Sequence, residues 1–292
     1  MSNKLILFTF FFLLKISVSY SQDAFFTQFF NKESFYNPAM TGINNSTSYR
    51  ISHKSQWNGQ GHIAYKSLLM SMEDAMPCSN LDWGVYALGD REGSSTFSTY
   101  KIGAKMAYSL TNLIPYFNKK RNLFSQHNIR MGMDWSIGQH RIDYSRLVFS
   151  DQIDQKYGVV LPTSFTPPDG TKSALFFTPG FGLVWQAQWN KGKRKSVVTK
   201  LGSSVSNSFA FGGESVGQSS SILGVPNIYK QIRYTFFLEL DFLPYFKKNL
   251  YINTSPLFFY QRQGGIDYWE IGTSVDISSI VQTGIYFHNT GF

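Results

Sequence analysis

Between Tyr100 and Phe242 the chain repeats one pattern, long runs with an apolar residue at every second position and small or polar residues between them. In the first run Tyr100, Ile102, Ala104, Met106, Tyr108 and Leu110 share one face of an extended chain, and Lys101, Gly103, Lys105, Ala107 and Ser109 share the other. Ile129, Met131, Met133, Trp135 and Ile137 repeat it opposite Asn128, Arg130, Gly132, Asp134, Ser136 and Gly138. A third run carries Phe177, Phe181, Leu183, Trp185 and Trp189. A fourth sets Ile228, Ile232, Tyr234, Phe236, Leu238, Leu240 and Phe242 against Gln231, Arg233, Thr235, Glu239 and Asp241. Soluble strands average about 5–6 residues, whereas roughly 9–11 tilted residues cross a bilayer. These runs reach the longer length, so the pattern predicts an all-β fold, a transmembrane antiparallel β-barrel with apolar faces toward lipid and the other faces toward a wet lumen.

The competing reading is a soluble sheet protein with one buried face per strand. Composition weighs against it, because 17% of residues are aromatic and only 15% charged. That balance suits rings facing lipid, with Tyr and Trp at the two interfaces. No later segment has the roughly 18 consecutive apolar residues of a spanning helix.

Lys4 precedes an apolar run from Leu5 to Leu14, and Ser19 and Ser21 fit the small-residue positions of a cleavage site. Residues 1–21 are therefore predicted to be a signal peptide, 22–45 a periplasmic or lumenal segment, and 46–292 the outer-membrane barrel, reached after Sec-dependent export. The single Cys78 cannot form an intrachain disulfide.

Eleven strands are predicted, near residues 46–57, 62–72, 80–90, 96–110, 123–140, 172–189, 197–207, 228–243, 248–261, 267–277 and 280–288. With a periplasmic amino terminus, the long connections 141–171 and 208–227 fall outside and the short turns inside. The same alternation gathers Lys119, Lys120, Arg121, Lys191, Lys193, Arg194, Lys195, Lys247 and Lys248 on the periplasmic rim. Such a rim is a set of solvated turns, a docking face for an acidic partner, or a contact for anionic lipid head groups. The formal net charge of +9 does not point to nucleic acid, which an exported barrel seldom meets. Facing the lumen, Lys101, Lys105, Arg130, Asp134, Arg233, Glu239, Asp241 and Glu270 carry both signs, which predicts internal pairing ahead of a conducting path.

No catalytic motif is present: there is no Gly-x-Ser-x-Gly, no His-Glu-x-x-His and no phosphate loop. His53, His62, His127, His140 and His288 are scattered. His53 and His62 flank the first hairpin, yet lack a neighbouring carboxylate or Cys, and no metal or cofactor is predicted. The expectation is a noncatalytic protein, with a passive or selective pore, or a hydrolase assembled across strands, as the alternatives.

The segment after the signal peptide reads Phe25-Phe26-Thr27-Gln28-Phe29-Phe30, then Phe35-Tyr36-Asn37-Pro38-Ala39-Met40-Thr41-Gly42, and the first strand closes on Lys54-Ser55-Gln56-Trp57. This opening resembles the PorP/SprF family of outer-membrane proteins from the type IX secretion system of Bacteroidetes. Gln28, Asn37, Pro38, Ala39, Gly42, Gln56 and Trp57 match in order and spacing, while Lys54 stands where the family has Arg and so loses the planar guanidinium fork. Trp57 would anchor the first strand at the outer interface.

The resemblance extends over most of the mature chain. It implies a barrel of about 14 strands and a component that assists export or surface attachment of sorting-domain adhesins in secretion or gliding. The implied surroundings are outer-membrane lipid, periplasmic ring proteins of the machine and secreted adhesin cargo. The carboxyl end departs from the family: the later strands, a Tyr-Ser-Tyr-Asp type segment and a terminal His-Glu are missing, which implies a truncated or divergent end.

Overall fold

The computed structural model describes residues 26, 29–59, 62–76, 79–92, 97–110, 126–154, 156–164, 166, 175–190, 196–207, 232–243, 252–277 and 281–289. The alternating runs form strands β1 (Ser48–Gly59), β2 (His62–Asp74), β3 (Leu81–Glu92), β4 (Phe97–Ser109) and β5 (Gln126–Ile142). Two short strands, β6 (Ile153–Asp154) and β7 (Gly158–Val159), make a hairpin of their own inside the following connection. Then come β8 (Phe176–Asn190), β9 (Ser196–Ser206), β10 (Arg233–Leu243), β11 (Ile252–Gln263), β12 (Ile266–Ile277) and β13 (Val281–His288).

Eleven strands join in one sheet in the order β1-β2-β3-β4-β5-β8-β9-β10-β11-β12-β13, every neighbour antiparallel. The meander joins consecutive strands by both tight turns and long connections, and Gly264-Gly265 between β11 and β12 is one of the tight turns. Both glycines have positive φ, +60° and +81°, the geometry of the tight turn whose twist matches the flanking strands. No described helix is long and apolar enough to cross a membrane, and the fold is that of a β-barrel. Among the described residues no ladder joins β1 to β13, so these two strands are the edges of the sheet.

The two faces have opposite character. Tyr100, Ile102, Met106, Tyr108, Met131, Met133, Trp135 and Ile137 point outward and are exposed, while Lys101, Lys105, Ala107, Arg130, Gly132, Asp134 and Ser136 between them are buried. Outward apolar and inward polar residues invert the soluble rule, and a lipid exterior accounts for that inversion. In the fourth run, Tyr234, Phe236 and Phe242 are exposed and Arg233, Thr235 and Glu239 buried. Ile228 and Gln231 lie outside the described residues, and the strand begins at Arg233.

What buries the inner face is Phe26 together with residues 29–46. This segment contains a single α-helical turn, Glu33–Tyr36, and two 3-10 turns, Phe29–Asn31 and Pro38–Met40. Its contacts run from Glu73 on β2 and Tyr86 on β3, through Lys105, Arg130, Leu183 and Ser203, to Phe237 on β10 and Phe259 on β11. Laid flat, those eight strands would span on the order of 30 Å, too wide for one short folded segment to touch. The sheet therefore curls around it, and the hydrophobic core of the molecule sits inside the curl.

Replacing outward Met133 by Arg is expected to lower the unfolding free energy in phospholipid vesicles by about 2–4 kcal/mol, the penalty for a lipid-facing cation near mid-bilayer. The measurement is a denaturant titration, with Val148→Arg in the exposed loop as the neutral control.

Candidate functional site

Asn37-Pro38 sets the geometry of the lumenal segment. Proline disfavours helix at the residue before it, and Asn37 is extended, with φ −134° and ψ 110°. The Asn37 Oδ1 then accepts from the Ala39 amide at 3.0 Å and caps the 3-10 turn that Pro38 begins. Its Nδ2 donates to two strand carbonyls, Leu183 at 3.2 Å and Ser203 at 3.0 Å. One side chain thus shapes the turn and ties it to β8 and β9. Gly132 and Gly182 make room for the approach: a Cβ on Gly132 would overlap the Ala39 amide nitrogen, and one on Gly182 would overlap the Asn37 carboxamide.

Arg130 holds the other side of the turn. Its Nε donates to the Ala39 carbonyl at 2.9 Å, and its Nη2 to the Thr41 carbonyl at 2.5 Å and to Asp82 Oδ2 at 2.7 Å. Nη1 donates to Ser109 Oγ at 2.7 Å. The guanidinium fork is needed for four acceptors at these angles, which an ammonium could not serve together. Gly42 follows with φ +69°, and a Cβ there would come within 2.6 Å of Asp82 Cβ, so glycine is required on both counts.

A third anchor is Glu73. It accepts from Ser34 Oγ, from the Gly42 amide at 3.3 Å and from Arg50 at 2.8 Å. Aromatic contacts complete the seat. Phe29 stacks on Phe259 at 4.6 Å between centroids and tilts against Phe237 at 4.8 Å, and Phe35 meets Tyr86 edge-on at 5.9 Å. Tyr36 is fully buried, and its hydroxyl donates to the Phe26 carbonyl at 2.6 Å and accepts the Phe26 amide at 2.9 Å.

The lumenal charges pair mostly with residues that the alternation did not single out. Arg130 pairs with Asp82, and Glu239 with Lys200 at 3.3 Å, which also reaches Asp241 at 3.0 Å. Asp134 Oδ2 accepts from Tyr86, and Lys105 lies over the Tyr86 ring at 4.5 Å. Arg233 lies over Phe35 at 5.3 Å and reaches the Phe35 carbonyl at 3.5 Å. Lys101 is buried on the same face, and Glu270 accepts from Tyr268 at 2.8 Å.

Of the motif residues, Asn37, Pro38, Ala39 and Gly42 come together in the seat, whereas Gln56 is exposed on β1. Gln28 and the Trp57 side chain lie outside the described residues, as do Lys119, Lys120, Arg121, Lys191, Lys193, Arg194, Lys195, Lys247 and Lys248. The strand ends flanking those basic runs, Ser109 and Gln126, Asn190 and Ser196, Leu243 and Ile252, lie on one rim. His53 and His62 are not brought together, because His53 pairs with Leu68 and His62 with Gly59. Among the described residues no cluster of His, Cys, Asp and Glu could hold a metal.

Glu73, Asp82, Lys200, Tyr86, Phe237 and Phe259 are the residues that sequence reasoning passed over. Phe237 and Phe259 did carry a signal: they are large apolar residues at lumen-facing positions of adjacent strands, which require a cover.

The long connection after β5 is built by its own carboxylates. Asp151 accepts from the Ser164 amide at 2.6 Å and from the hydroxyls of Ser164 and Thr163, and the Ser164 bonds hold its carboxyl below the ordinary range. Asp154 is lowered likewise by the amides of Lys156 and Tyr157. Val148, Ile153, Tyr157, Val159 and Val160 on this loop are exposed.

Comparison with known proteins adds one finding. The family model described as "Type IX secretion system membrane protein PorP/SprF" matches residues 18–289. No curated protein matches the chain.

Two outcomes follow from the geometry. Arg130→Met leaves Asp82 buried without its cation and is expected to destabilise the folded protein by about 3–5 kcal/mol, with Arg130→Lys rescuing only part; equilibrium unfolding in lipid vesicles measures it. Because the folded Asp151 carboxyl is lowered, its contribution to loop order is complete above the ordinary value of 3.8 and is lost as pH falls through the lowered one. Hydrogen exchange at the Ser164 amide should accelerate only in that acid range, and Asp151→Asn should abolish the pH step.

Proposed function

Because the chain belongs to the PorP/SprF family of type IX secretion system membrane proteins, we propose that it is a noncatalytic outer-membrane adaptor that assists export or surface attachment of cargo such as sorting-domain adhesins. The observation that carries the reading is the family match over residues 18–289. The family makes it a membrane component working with the secretion machinery; the adaptor role, the cargo and the gliding or secretion context are the proposal.

Two structural features support it. The inner face is covered by the protein's own segment, which fits a scaffold better than a permanently open passive pore. The loop rim presents exposed Val148, Ile153, Tyr157, Val159 and Val160, an apolar surface of the kind that meets a protein partner. In this arrangement the loop rim contacts cargo. The basic turns at the other rim dock an acidic face of the periplasmic ring, with charge steering the encounter.

The test is affinity capture of the tagged protein from crosslinked native outer membranes, followed by mass spectrometry. Ring proteins or a large sorting-domain adhesin are expected in the eluate. Reversal of charge at Lys193, Arg194 and Lys195 should reduce ring recovery at least about tenfold, the effect of losing roughly 1.4 kcal/mol of binding, and leave cargo recovery unchanged. An eluate with no such partner would overturn the adaptor reading, and unchanged ring recovery would overturn the docking half.

A further inference from the structure

We propose that the outward face of β1 to β5 carries a binding site for an anionic, phosphate-bearing glycolipid, at the rim of the long connections. The ladders place Ser55, Lys66, Arg91, Ser98 and Arg141 in one row, because each is the register partner of the next. Five adjacent strands thus give one residue each at a single height, over roughly 19 Å. Alternation turns the row outward. Lys66 shares its face with exposed Leu68 and Met70, Arg91 with Val85, Ser98 with Tyr100 and Ile102, and Arg141 with Trp135 and Ile137. Lys66, Arg91 and Arg141 are themselves exposed, and Ser98 is buried between the two arginine strands.

Two observations point to an anion. Lys66 and Arg91 are direct cross-strand partners, and like charges directly opposite each other destabilise a sheet. Among the described residues no carboxylate offsets them, since none of Lys66, Arg91 and Arg141 forms an ion pair. Arg262, which also faces outward, has Asp267 beside it at 3.7 Å. The cations are also confined to one sector of the wall. At the same rim β10 and β13 turn Tyr234 and Phe287 outward, so the row is not part of a uniform interfacial girdle.

The height of the row selects a lipid. One outward row further into the sheet the register reads Leu68, Gly89, Tyr100 and Gln139, and the next reads Met70, Ala87, Ile102 and Ile137. The cations therefore sit at the margin of the apolar belt, and in the orientation with the long connections outside this is the head-group level of the outer leaflet. Arg91 and Arg141 stand two strands apart, roughly 10 Å, and a guanidinium fork takes phosphate oxygens in pairs. The Arg91 guanidinium reaches the Tyr100 hydroxyl at 3.5 Å, which keeps it close to the wall. A glycolipid meets both halves of the site, its phosphates on the cations and its acyl chains along Met70, Ile102 and Ile137. A free phosphate would use only the first half.

The test is native mass spectrometry of the purified full chain titrated with diphosphoryl lipid A, phosphatidylglycerol or inorganic phosphate, beside denaturant unfolding in zwitterionic vesicles with and without lipid A. Lipid A is expected to stay bound and to raise the unfolding midpoint of the unaltered protein. Arg91→Gln should weaken lipid A at least about tenfold, and the triple change Lys66→Gln, Arg91→Gln and Arg141→Gln at least about a hundredfold. Arg262→Gln should leave binding unchanged. Without lipid A the triple variant should unfold no earlier than the unaltered protein, because it sheds the Lys66–Arg91 repulsion; should it fail to fold, Arg91→Gln decides alone. Equal retention of lipid A by the variants, or an equal loss in Arg262→Gln, would overturn the site. Displacement by inorganic phosphate would reduce it to a bare anion site, and phosphatidylglycerol bound as tightly as lipid A would reduce it to a general anionic surface; either result sinks the proposal. Binding is read on the isolated protein, so its failure leaves the adaptor reading standing.

Discussion

The guanidinium of Arg130 is the constraint on which the interior depends. Inside a barrel that faces lipid, a buried cation must find acceptors within reach, and Arg130 draws them from three parts of the chain: Asp82 on β3, Ser109 on β4 and the carbonyls of Ala39 and Thr41. Meeting that demand places the lumenal turn, which in turn brings Asn37 to β8 and β9 and lays Phe29 against Phe237 and Phe259. The polar anchor and the aromatic cluster are thus two ends of one short lever. Removing the anchor disturbs packing well beyond its own hydrogen bonds.

The barrel pattern was legible because each strand solves the same problem of separating two solvents. Met131 and Met133 outward with Arg130 and Asp134 inward is a local statement, readable without knowing any neighbour. The Asn37-Pro38 turn was legible for the same reason, since proline acts on the residue beside it. What could not be read was the destination of these groups. Asn37 meets carbonyls 146 and 166 residues away, and Arg130 takes Asp82 across 48 residues in preference to nearby Asp134. Alternation tells which face a residue occupies and leaves open its height on the wall, which is fixed by ladder register and strand tilt. The separation of His53 from His62 has the same origin, because a hairpin's register, not the sequence distance to its turn, decides which residues oppose.

The lumen also shows how a wet interior can be made crowded without becoming a hydrophobic core. Lys200 between Glu239 and Asp241, and Arg50 against Glu73, keep charge inside by pairing it, while rings such as Tyr86 and Phe35 lie under Lys105 and Arg233. Cations over aromatic faces serve both purposes at once, filling space and offsetting desolvation. This economy explains why large apolar residues occur on a face that is otherwise polar.

The reach of the lumenal segment carries a consequence for assembly. Its partners on β8 to β11 are far downstream in the chain, so its seat does not exist until most of the wall has been synthesised and paired. Contacts of such long range are slow to form, and Phe29, Phe35 and Tyr36 must wait uncovered in the meantime. The segment made early is the one that settles late, and the barrel must keep its interior accessible until that final arrival.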